Sequence, residues 1–164
     1  MYRSIAEIQS ALHSGKTALD LVEEHLSRIE AHQHLNAFLE VFESSAREQA
    51  IAIDAKIKAG TAGKLAGVIV GIKDNIDTAD YPTELGYAGA AGRTPSVDAF
   101  LVHRLRAAGA VVWGKTRTAE LAYLNPPVTK NPRNLAHTPG GSSSGSAAAV
   151  AAGMVPVAVG PQTN

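Results

Sequence analysis

The sequence contains no cysteine, which excludes disulfides, thiolate metal sites and a cysteine nucleophile. It has no apolar run near the roughly 18 residues that mark a membrane-spanning helix. It has no excess of either charge, with 15 basic against 15 acidic side chains and no Lys/Arg block. An electrostatic footprint for nucleic acid or an anionic membrane surface is therefore lacking, and neither is expected as a direct partner. Aromatic residues are few at 5%, yet 45% of the 164 residues are hydrophobic, too many for a disordered chain of zero net charge. The first residues, MYRSIAEIQS, show no charged-then-apolar secretory pattern, so the expected setting is cytoplasmic.

What is present reads as helices followed by an α/β alternation. Ser4 and Glu7 have capping-box spacing before Ile5, Ile8 and Leu12, with Gly15 as a stop. Thr17 caps a second helix with Leu19, Val22, Leu26 and Ile29 on one face, ending near Glu30. Leu35 to Phe42 reads as a short strand, and Ala46, Ala50, Ile53 and Ile57 mark a third helix closed by Gly60. Beyond Gly60 the texture changes. Val68–Ile72 is a buried strand leading into Lys73, residues 79–96 form a long loop, and Ser96 caps a helix carrying Val97, Leu101, Leu105 and Ala108. A second buried strand follows at Ala110–Trp113, then a short helix at about 118–123, an alanine helix at about 146–152 and a strand at Val155–Val159. The class is α/β.

Two places suggest chemistry. Lys73 comes directly off the apolar run VIVGI, and partial desolvation there would disfavour the ammonium and leave a neutral amine able to accept a proton. The same position also suits a strand-end lysine pointing into water. The second place is Gly140-Gly141-Ser142-Ser143-Ser144-Gly145-Ser146, running straight into a helix. Such loops gather backbone N–H groups suited to an anion or oxyanion. The Gly-Lys-Ser/Thr of a phosphate loop is absent from it. His32 and His34 lack a nearby carboxylate cluster and give no metal site, His103 and His137 read as surface or loop residues, and Trp113 reads as core. Arg93 and Tyr87 suit either loop packing or a substrate.

Several ordered blocks resemble the amidase signature family: Gly67–Asn75 (GVIVGIKDN), Asp98-Ala99 with Arg104–Ala110, Gly114-Lys115-Thr116, Asn131–Leu135 (NPRNL), and Thr138–Gly153 (TPGGSSSGSAAAVAAG). The resemblance spans roughly residues 60–164, and the N-terminal helices are compatible with it. It implies an α/β fold with a mixed β-sheet covered by helices. The whole of 1–164 would be one incomplete amidase domain, with 1–60 a helical segment and 61–164 the start of the signature core. It implies hydrolysis of carbon–nitrogen amide bonds by a Ser-Ser-Lys relay acting on a small-molecule amide, with no metal or organic cofactor. By motif position Lys73 resembles the base, Ser142 the bridging serine and Ser143 a supporting residue, while the backbone N–H groups of Thr163 and Asn164 resemble half of an oxyanion hole. The family's nucleophile lies in a Gly-Gly-Ser step, and the chain ends about two positions short of it. Ser144 and Ser146 do not fit the nucleophile's place beyond Ser142. Three positions depart from the family pattern: Ile69 for a proline, Pro161 for a small hydroxyl residue and Asn164 for a glycine.

The expectation is an N-terminal amidase portion, inactive alone, whose apolar faces and unpaired strand edges lead to aggregation or a molten state. The A-type subunit of a glutamine-dependent tRNA amidotransferase and a non-catalytic interaction module on the same fold are the alternatives, and a homodimer is left open.

Overall fold

Local capping sets the first three helices. In a computed structural model that describes residues 4–79 and 81–162, Ser4 caps α1 (Ile5–His13) by accepting the Glu7 N–H at 3.2 Å. Thr17 and Asp20 exchange both bonds of a capping box at the head of α2 (Ala18–Ala31). That head is also held from α3 (Glu43–Lys58), because the Asp54 carboxylate accepts the Ala18 and Leu19 N–H groups at 2.6 and 3.2 Å. A carboxylate at a helix N-terminus meets both the orphan donors and the dipole, and it fixes α2 against α3.

The sheet has four strands in the order β1-β3-β2-β4. β2 (Ile69–Lys73) lies parallel to β3 (Val111–Thr116) and to β4 (Val157–Val159), while β1 (Phe38–Val41) runs antiparallel to β3. The sheet is therefore mixed, and the strand expected at Leu35–Phe42 is one of its two outer members, shortened to Phe38–Val41 because Gln33–Leu35 forms a 3-10 turn ending at a left-handed Asn36. β2 and β3 are buried at every residue, which explains why their sequences run apolar instead of alternating. The helix α4 (Phe100–Ala107) connects β2 to β3, and α5 (Ser144–Ala151) precedes β4.

Two expectations need correction. α4 begins at Phe100 and not at the Ser96 cap, because Ala99 N–H donates to Asp77 O and the Asp98 carboxylate accepts from Ala79 N–H and Arg106 Nε, holding the preceding residues extended. Val102, and not Val97 or Leu101, is its buried residue; Val97 and Phe100 are 71% and 79% exposed. The short helix expected at 118–123 is a 3-10 turn over Glu120–Ala122, with Leu121 and Ala122 both at positive φ (51° and 63°). The Leu121 N–H donates to Leu85 O and Glu120 N–H to Asn125 O, which replaces the helical ladder. Tyr123, Leu124 and Val128 next to it are exposed. Among the described residues no helix is long and apolar enough to cross a membrane, and no group of three His, Cys, Asp or Glu could hold a metal ion.

Trp113 is fully buried, as its place in an apolar strand suggests, and His25 of α2 meets it edge-on at 6.3 Å. The His25 Nδ1 lies 2.7 Å from Leu21 O, and burial pushes its pKa below the ordinary value. The unfolded imidazole then binds protons that the folded one refuses, so stability falls as pH drops below about 6.5. Replacing His25 with Phe should flatten that dependence. Thermal midpoints at about pH 7.5 and about pH 5.5 check this, the parent losing more between the two than His25→Phe; equal losses would contradict it.

Candidate active site

Side-chain alternation along β2 sends Lys73 to the sheet face on which α5 packs and sends Ile72 and Asp74 to the other. Lys73 is fully buried. Its Nζ donates to Ser142 Oγ at 2.7 Å and to the carbonyl O of Pro161 at 2.9 Å. Burial pushes the lysine pKa below its ordinary value, since desolvation disfavours the ammonium. Of the two orientations open to a lysine at this strand end, the inward one is adopted: Lys73 does not point into water.

The Gly/Ser loop sorts its hydroxyls by geometry. Only Ser142 reaches Lys73; Ser143 Oγ donates to Pro161 O at 3.1 Å, Ser144 Oγ donates to Gly140 O, and Ser146 Oγ shares a 2.6 Å bond with Thr116 Oγ1. The Gly141–Ser142 peptide bond is cis. Ser142 is anchored through its carbonyl, which accepts Ala119 N–H at 2.9 Å and Thr118 Oγ1 at 3.2 Å. The loop's N–H groups are not all presented outward, because Gly145 N–H is taken by Arg117 O at 2.9 Å. Ser142 opens onto a cavity of about 360 Å³ whose walls include Ala119, Ala122, Tyr123, Gly141 and Gln162.

Among the other candidates, Thr163 and Asn164 lie outside the described residues. Arg93 makes a two-pronged ion pair with Asp77 at 2.6 and 2.8 Å, and Tyr87 is exposed; neither lines the cavity. His32 stacks on His34, and His103 and His137 are exposed. Sequence reasoning did not single out four further residues. Thr118 and Ala119 hold Ser142 from the segment after β3. Gly160 lies against the Lys73 stem, where a Cβ would stand 2.9 Å from Lys73 Cδ. The fourth is Lys115, fully buried on the far side of the sheet. Its visible signals are a lysine inside the apolar run VVWGKT and its place in the Gly114-Lys115-Thr116 block.

The chain that carries this lysine–serine pair has relatives among known proteins. Residues 20–164 match the family model for amidases. The A-type subunit of the glutamyl-tRNA(Gln) amidotransferase of Rhodopirellula baltica is 45% identical over 172 aligned positions, covering 99% of this chain and 34% of that protein. The structure of the peptide amidase of Stenotrophomonas maltophilia superposes with a TM-score of 0.86 at 35% identity, covering 94% of this chain and 35% of that one. An amidase family protein of Bacillus anthracis superposes at 0.87 with 31% identity, covering 96% and 34% respectively. The chain thus spans about a third of the length of these relatives. With the amidase model matched from α2 to the last residue and the same mixed sheet found in amidase structures, the chain belongs to the amidase family.

Proposed function

We propose that this chain supplies the proton-relay part of an amidase that hydrolyses the amide bond of a small molecule in the cytoplasm. Residues 1–164 are read as the first part of one amidase domain, with the helical stretch 1–60 leading into the signature core. The observation that carries the proposal is the 2.7 Å contact between Lys73 Nζ and Ser142 Oγ, made by a buried lysine whose ammonium is disfavoured, at the wall of the 360 Å³ cavity.

In this reading neutral Lys73 accepts the Ser142 proton while Ser142 accepts that of a nucleophilic serine attacking the amide carbonyl. The tetrahedral oxyanion is met by backbone N–H groups, half of them from Thr163 and Asn164. Collapse breaks the C–N bond, and the proton held by Lys73 returns through Ser142 to the departing amine. Water then attacks the acyl-enzyme ester with the same relay as base. Ser143, bonded to the Pro161 carbonyl that Lys73 also uses, supports the lysine's position. Within 1–164 the neighbouring hydroxyls of Ser144 and Ser146 are bonded away from Lys73, which supports the reading, implied by the resemblance to the family motif, that the nucleophile follows Asn164.

The test compares the polypeptide made by the natural gene with the 164-residue chain alone, its intact mass determined, on a simple aliphatic amide with ammonia as the readout. Release by the gene product and none by the 164-residue chain is expected. Equal release by both would place the nucleophile inside 1–164, and release by neither would count against hydrolysis. The 45% identity to an A-type amidotransferase chain favours a second reading, in which the amide is that of glutamine and the ammonia passes to an acceptor. Ammonia release from glutamine but not from simple amides would select it.

A further inference from the structure

Lys115 and Lys73 are both fully buried, yet they face opposite ways. In the parallel pairing of β2 with β3, Lys115 sits beside Ile72, and Lys73 sits beside Thr116. Lys115 Nζ donates to Ile76 O at 2.6 Å, to Thr83 Oγ1 at 2.7 Å and to Thr78 Oγ1 at 3.4 Å, with the Asp74 carboxylate at 3.9 Å. Those acceptors all belong to the chain that leaves β2 directly after Lys73. Asp74 is the other half of the arrangement: its carboxylate accepts the N–H groups of Glu84 and Gly86 at 3.2–3.3 Å, its carbonyl accepts Leu85 N–H at 2.9 Å, and its own N–H donates to Thr116 O at 3.0 Å.

The bracket formed in this way reaches the cavity. Leu85 O accepts Leu121 N–H at 2.9 Å, Ala122 N–H bonds to Ala119 O at 2.8 Å, and Ala119 N–H holds the Ser142 carbonyl. Leu85, Leu121 and Ala122 all sit at positive φ without being glycine, a conformation that persists only where surroundings impose it. We propose that Lys115 is a positioning residue: from the far face of the sheet it locks the turn after β2, so that Lys73 stays aligned on Ser142 and sealed from water. The proposal rests on the reading of Lys73 as the base.

The charged groups around Lys115 are Asp74, Asp77 and Arg93; burial outweighs the two carboxylates and brings its pKa down to about 8. Burial also pushes the Asp74 pKa up. A charge-bearing hub is therefore kept at an energetic disadvantage, which a purely space-filling role would not require.

The test uses the polypeptide made by the natural gene with Lys115→Met, the double variant Lys115→Met/Asp74→Asn and Lys73→Ala, read by the pH dependence of kcat and by the titration of Lys73 in protein labelled with carbon-13 at lysine Cε. In Lys115→Met the Lys73 midpoint and the acid limb of kcat should both rise by about one pH unit as water reaches the amine. kcat should fall about tenfold with KM within about twofold. The double variant, freed of a buried carboxylate that has lost its counter-charge, should regain most of the lost thermal midpoint while the displaced Lys73 midpoint persists. If Lys115→Met does not fold, the double variant decides. A Lys73 midpoint unmoved in it, or restored together with stability, overturns the positioning role. Lys73→Ala separates the two failures: full activity there removes the base reading and this proposal with it, whereas an inactive Lys73→Ala beside an unshifted double variant removes this proposal alone.

Discussion

Lys73→Ala and Ser142→Ala should each lower amide turnover roughly a thousandfold or more in the polypeptide made by the natural gene, and the double variant should be no worse than either single one. The reason lies in the 2.7 Å contact. Among the described residues, the one side-chain hydroxyl bonded to Lys73 Nζ is that of Ser142, and in the relay this amine is the group placed to take the Ser142 proton. Removing either end breaks the same transfer, so the two losses cannot add. The pH profile carries the sign of the mechanism. Lys73 acts as a neutral amine, so kcat should rise with pH up to its apparent pKa, which burial places below the ordinary lysine value. Ser142→Ala is the more informative variant, because it leaves the lysine in place. Single-turnover and steady-state rates on one amide across the pH range make the check. A double variant much slower than either single one would mean that the two groups act independently, and an activity falling with rising pH would mean that the ammonium is the working form.

The sequence shows Lys73 well because burial on both faces leaves an uninterrupted apolar run, and a lysine ending that run stands out. It shows the class of fold for the same reason, since β2 and β3 are both such runs with a helix between them. Ser142 is different. Four serines lie in one loop, and nothing in their local pattern singles out the first; the resemblance to the signature motif does, and the geometry brings that serine alone to the lysine. Ser96 misplaces the start of α4 because its capping chemistry is good, while the bonds from Asp77 and Asp98 that hold the chain extended come from non-local partners. The left-handed residues Leu121 and Ala122 carry no signature at all, because leucine and alanine adopt that region only under tertiary constraint. In the sequence Lys115 is one more lysine at a strand end, and only the pairing register shows that it points away from Lys73 into a shell of backbone and threonine oxygens.

Two glycines that flank the serine loop in space should respond in opposite ways to the same added methyl group. Gly145, near the start of α5, packs backbone against backbone: a Cβ there would overlap the carbonyl O of Ala37 and the amide N of Arg117, and would stand 2.9 Å from Arg117 O. Those atoms are tied together, Gly145 N–H to Arg117 O and Arg117 N–H to Ala37 O, both at 2.9 Å. No rotamer change relieves the overlap, so α5 must move off the ends of β1 and β3 and carry Ser142 with it. Gly145→Ala should cost about 3 kcal/mol or more, the upper end of the overpacking range, and abolish activity along with stability. Gly160 meets side chains instead. Its added Cβ would lie 2.7 Å from Ser143 Oγ and 2.9 Å from Lys73 Cδ, both able to swing aside, and 3.1 Å from Ser143 Cβ, a contact that a shift of a few tenths of an ångström relieves. Gly160→Ala should therefore change stability by less than about 1 kcal/mol while lowering kcat about tenfold or more, since the stem that moves is that of the base. Denaturant unfolding and kcat measured on both variants separate the cases. A stable Gly145→Ala would show that α5 can slide without unfolding the sheet, and a fully active Gly160→Ala would show that the amine of Lys73 keeps its place when its stem is pushed.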